Sequence, residues 1–63
     1  MTAYRCYFLD GRGKISDWKI IESPDDDSAQ EKAVAKFHEH SWYHAVEMWH
    51  LARRVFIQMR DVA

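Results

Sequence analysis

The chain reads as a small α+β domain of order ββαββ, with one helix packed on an antiparallel sheet. Three observations predict it. The segment "YRCYFLDGRGKISDWKI" places two aromatic-rich runs on either side of a short glycine-containing loop. The segment "ESPDDDSAQEKAVAKFHEH" combines helix-start residues with apolar spacing of three and four. From Trp42 onward, alternation of apolar and polar residues returns in "HAVEMWH" and "RRVFIQM".

Residues 3–9 form the first predicted strand, since aromatics suit a pleated surface. Tyr4, Cys6 and Phe8 share one face; Arg5, Tyr7 and Leu9 share the other. Residues 10–14 make a turn. Residues 15–22 resume a strand, with Trp18 and Ile20 assigned to the inner face and Asp17, Lys19 and Ile21 to the outer. The glycines of Gly11-Arg12-Gly13 serve a hairpin tip, because glycine reaches positive φ at no steric cost. A dinucleotide loop would need a third glycine and a helix directly after it. Here "KISDWKII" follows, which is strand.

The helix is predicted from Ser23 as N-cap, with Pro24 at the first helical position and Asp26 completing a capping box, and it runs to about His40. The run Asp25-Asp26-Asp27 favours the positive end of the helix dipole. That role ranks above a magnesium site, which needs ligands from several segments. Ala29, Ala33, Val34, Phe37 and Ser41 form the inward stripe, while Glu31, Lys32, Lys36 and Glu39 face water.

In the third strand Val46 and Met48 point inward, with Glu47 and Trp49 outward. Residues 50–53 turn without glycine or proline. In the last strand Val55, Ile57 and Met59 point inward, with Arg54 and Phe56 outward.

Size constrains the protein further. The 63 residues make one domain, 1–63. A chain of this length buries only about 60% of its unfolded surface, so it needs very good packing, a metal or a partner chain. Cys6 is the only cysteine, which excludes an intramolecular disulfide and fits a reducing, cytoplasmic setting. No apolar run approaches a membrane span, so no membrane partner is expected. The net charge is −1, with a net −3 over residues 23–41 and +1 on each flanking segment. That balance gives no strong attraction to nucleic acid.

No catalytic residue, cofactor or metal site is expected. His38, His40, His44 and His50 lack the repeated pair spacing of a zinc site. Cys6 falls on the inward set, where a free thiol acts as a small hydrophobe. A pocket of catalytic size rarely fits in so short a chain.

The outer sheet face is the most informative feature. Arg5, Tyr7, Leu9, Lys19, Ile21, Trp49, Arg54 and Phe56 are the residues assigned to it. That is more apolar surface than a lone domain leaves in water. A homodimer closed sheet to sheet ranks first, with a different protein chain as another possible occupant. A weak single-stranded nucleic-acid binder, stacking bases on the aromatics, is the alternative. A third reading shifts a strand by one residue, which exchanges the faces.

The quoted hairpin, the helix start "PDDDSAQEKA" and the ending "VEMWHLARRVFIQM" resemble a group of very small, uncharacterised bacterial proteins. Those proteins pair a Y-x-F-Y-F-L-D-x-x-G-x-I hairpin with a closing E-V-W-x-G-x-R-x-V hairpin. Here Cys6 stands where an aromatic is usual, and Leu51 or Ala52 stands where the second turn has glycine. The resemblance implies a shared ββα(ββ)-type fold. It brings no catalytic residues.

Overall fold

The computed structural model describes residues 1–60 of the predicted 1–63 domain. Its elements are β1 (Thr2–Leu9), β2 (Ile15–Ser23), α1 (Asp26–Glu39), β3 (Ala45–His50) and β4 (Arg53–Met59). The four strands form one antiparallel sheet of order β2-β1-β3-β4, with α1 on one face. This is the predicted ββαββ arrangement. None of the helices is long and apolar enough to cross a membrane among the described residues.

The core lies between α1 and the two central strands. Tyr4, Cys6 and Phe8 of β1 and Val46 and Met48 of β3 are buried against Ala29, Ala33 and Phe37 of α1. The two alanines let the helix lie close to the sheet. Tyr43, in the connection after α1, completes the core and stacks on Phe8 with ring centroids 4.7 Å apart.

Each end of α1 is held by specific groups. Asp25 is the N-cap, and its Oδ1 accepts from the Ser28 amide at 2.8 Å. The expected cap, Ser23, instead pairs with Thr2 as the last residue of β2 and is fully buried. The ladder keeps Ser23 extended, so the helix starts after Pro24 and Asp25. At the other end Arg60 takes over the free carbonyls. Its guanidinium donates to Phe37 O at 3.2 Å, His40 O at 3.1 Å and Tyr43 O at 2.7 Å. It also stands 4.7 Å from the centroid of the Phe37 ring. Helix C-termini leave carbonyls unsatisfied, and a cation there answers both the hydrogen bonds and the dipole.

β2 presents the opposite face to the one predicted, and β4 does so from Phe56 onward, while Val55 packs against the core and Arg54 lies outside as expected. In β2, Cys6 pairs with Lys19 and Tyr7 with Trp18. Lys19 and Ile21 therefore lie on the helix side, and Trp18 and Ile20 on the outer side. Ile20 and Ile21 are adjacent, so either phase of the strand leaves one isoleucine outside. The close helix leaves room for Ile21, which packs against the core, and the indole of Trp18 stays outside. In β4, Met48 pairs with Phe56 but Trp49 pairs with Arg54. Val55 is the extra residue of a β-bulge. The bulge reverses the alternation, so Phe56 packs toward the core while Ile57 and Met59 face outward.

Candidate interface on the outer sheet face

The outer face is built from cross-strand rows, because paired residues project to the same side of a sheet. Ile20, Arg5, Trp49 and Arg54 form one row across β2, β1, β3 and β4. Trp18, Tyr7, Glu47 and Ile57 form the next. Ile15, Leu9, Ala45 and Met59 form the third, with Ser16 as the bulged residue of β2. Of the eight residues expected on this face, Arg5, Tyr7, Leu9, Trp49 and Arg54 lie on it. Lys19, Ile21 and Phe56 lie on the helix side, for the reasons given above. Trp18, Ile20, Ile57, Met59 and Ile15 take their place; the misassigned phases of β2 and β4 concealed the first four.

The face is strongly apolar. Trp18 and Ile20 are each 56% exposed, Ile15 58% and Met59 72%. A shallow groove of about 540 Å³ runs along it, with Tyr7, Ile20, Trp49 and Leu51 among its lining residues. Its charges are few and balanced. Arg54 meets Glu47 at 3.7 Å, and Arg5 donates to the Tyr7 hydroxyl at 3.4 Å.

Leu51 stands at one end of the groove. The β3–β4 loop has only two residues, and Leu51 takes the left-handed backbone there with φ +57°. Glycine ordinarily fills such a position. Leu51 keeps the turn tight and is 88% exposed.

The other sites considered in the sequence have local explanations. In the first hairpin, the Asp10 carboxylate accepts from the amides of Arg12 at 2.8 Å and Lys14 at 3.1 Å. Those hydrogen bonds hold its carboxyl below the usual range. The amides that would cradle a phosphate are thus already engaged. Asp26 accepts from the Tyr4 hydroxyl at 2.5 Å and from Arg53 at 3.5 Å. The Tyr4 bond is the main reason its carboxyl is held low. Asp17 accepts from the Tyr43 hydroxyl at 2.8 Å. Burial, aided by that bond, pushes the Tyr43 phenol up to about 12. Burial alone pushes the Cys6 thiol up to about 11, so it is not a thiolate near neutral pH. Among the described residues, no group of three or more His, Cys, Asp or Glu side chains converges as metal ligands would.

Comparison of the chain with protein-family models, curated proteins and solved structures gives no match.

Proposed function

We propose that this protein is a small, non-catalytic association module that forms a homodimer through its outer sheet face. The observation that carries the reading is the composition of that face: five large apolar side chains over 40% exposed stand in three contiguous rows. Scattered apolar residues are normal on a surface, whereas a contiguous patch marks a contact.

The sheet edges offer poorer contacts. β2 carries a bulge at Ser16 and the charges of Asp17 and Lys19; β4 carries a bulge at Val55 and two arginines. Bulges and charges are the usual means of blocking edge pairing. A partner is therefore expected to approach the face.

Its dimensions fit a second copy. Four strands at ~4.8 Å spacing and about seven residues at ~3.3 Å each give a plan area of roughly 440 Å². Corrugation by two tryptophans and a tyrosine raises the accessible area toward the ~800 Å² per partner of a standard interface. The charge balance argues against nucleic acid: Arg5 and Arg54 are offset by Glu47 and by Glu22, which pairs with Ala3 on this face. Nucleic-acid binding draws much of its affinity from uncompensated cations.

Sedimentation equilibrium over a wide concentration range tests the proposal. A reversible monomer–dimer equilibrium is the expected result. A monomer at every concentration, or a monomer that binds single strands with steep salt dependence, would refute it.

A further inference from the structure

We infer that the two-fold axis of this dimer lies parallel to the strands and passes between β1 and β3; the inference rests on the face-to-face association proposed above. Closed homodimers are isologous, so the face must be complementary to itself under one rotation. Two simple rotations bring one sheet onto its copy, and the three rows distinguish them.

An axis along the strands keeps each row opposite its own copy but reverses its order. Arg5 then faces the partner's Trp49, and Trp49 faces the partner's Arg5. A guanidinium over an indole face is an attractive pairing. In the next row Tyr7 faces the partner's Glu47. The Tyr7 oxygen already accepts from Arg5, which leaves its own proton to donate to that carboxylate. Trp18 faces the partner's Ile57, and Ile15 faces the partner's Met59. Ile20 lies against the aliphatic stem of the partner's Arg54. Every charged group on these rows meets an aromatic group or a long apolar surface that can cover its stem.

An axis across the strands, through the middle row, keeps each strand opposite its own copy. Glu47 then faces the partner's Glu47, and the two carboxylates repel. Arg5 faces the partner's Leu9, and Arg54 faces the partner's Met59. No cation meets an aromatic or a carboxylate across that interface. Aligned sheet packing rotates the strands by about 30°, which displaces the corners more than the two central strands. The decisive pairs, Arg5 with Trp49 and Tyr7 with Glu47, lie on those central strands.

Cysteine cross-linking tests the axis. Native Cys6 is fully buried and is not expected to react. Ile20→Cys and Arg54→Cys are prepared separately, mixed and treated with a short bismaleimide. The mixture should give several-fold more covalent dimer than either variant alone. Ile15→Cys mixed with Met59→Cys repeats the test at a second row and should behave alike. Ile57→Cys is the control, since position 57 faces its own copy only when the axis runs across the strands. Efficient self-linking of Ile57→Cys would overturn the inferred axis. So would a wild-type dimer for which neither mixture exceeds its single variants. Sedimentation of the wild type separates these results from failure of the association reading: a monomer there removes the dimer itself. Glu47→Gln supplies an independent sign. A tighter dimer would reveal a relieved carboxylate pair and overturn the axis, whereas unchanged or weaker association supports it.

Discussion

Replacing Trp18 by serine separates surface from core most sharply, because the alternation of β2 alone would put this indole beneath the helix. The side chain is 56% exposed in the single chain. A tryptophan presents up to ~250 Å², so roughly 140 Å² remains to be covered by a partner. At ~25 cal/mol per Å² that is about 3.5 kcal/mol per copy as an upper bound. Ordering and imperfect packing reduce it, and a central aromatic anchor typically costs ~2 kcal/mol when truncated. Two copies per dimer therefore give about 4 kcal/mol, or a Kd on the order of a thousandfold weaker. Sedimentation equilibrium reads the change in Kd. Circular dichroism of the monomer at high dilution shows that the fold persists. Two results would refute the reasoning: an unfolded variant at every concentration, which places Trp18 in the core, or an unchanged Kd, which leaves the outer face without a role.

Arg60→Met keeps the apolar stem but removes the side-chain donor to Phe37 O, Tyr43 O and His40 O, the last of which keeps the Tyr43 amide at 3.4 Å. It should destabilise the fold by about 2 kcal/mol, read by urea unfolding; a change below ~0.5 kcal/mol would show that water replaces the guanidinium. Leu51→Gly relieves a left-handed backbone and should raise stability by about 0.5 kcal/mol, seen as a higher Tm in a variant kept monomeric by Trp18→Ser. The carboxyls of Asp17 and Asp26 are held low mainly by their tyrosine hydrogen bonds. A depressed folded value contributes stability that is present above the unfolded value of about 3.9 and is lost as pH falls through the folded one. Tyr4→Phe should therefore flatten the acid limb of a stability–pH curve, and an unaltered limb would disconnect Asp26 from it.

Much of the architecture is legible in the residues because each level agrees with the next. Tyr4, Cys6 and Phe8 alternate cleanly in β1, as do Val46 and Met48 in β3, and these central strands make the core. The edge strands are less legible for a physical reason. An edge strand is only partly covered by a single helix, so its apolar pattern is not forced to one side. Ile20 and Ile21 permit both phases of β2, and the bulge at Val55 reverses β4 without a glycine to announce it. Tyr43 escapes a reading by period because it lies in a connection, outside any helix or strand. Its place in the core follows from the stack on Phe8 and the bond to Asp17, which are long-range contacts.

The phases of β2 and β4 bear directly on association. With Trp18, Ile20, Ile57 and Met59 turned inward, the outer face would have exchanged them for Lys19, Ile21 and Phe56. In the structure the same residues stand outside, and the apolar strip extends from one sheet edge to the other. The helix side is meanwhile covered by a narrow stripe of two alanines and one phenylalanine. A chain with so modest a core has little stability to spare. Covering the outer face with a second copy would contribute stability that grows with protein concentration. The melting temperature of the wild type should therefore rise with concentration, and that of Trp18→Ser should rise far less. A wild-type melt independent of concentration over the range in which sedimentation detects dimer would show that the association adds nothing to folding. The helix-side core would then account for the fold by itself.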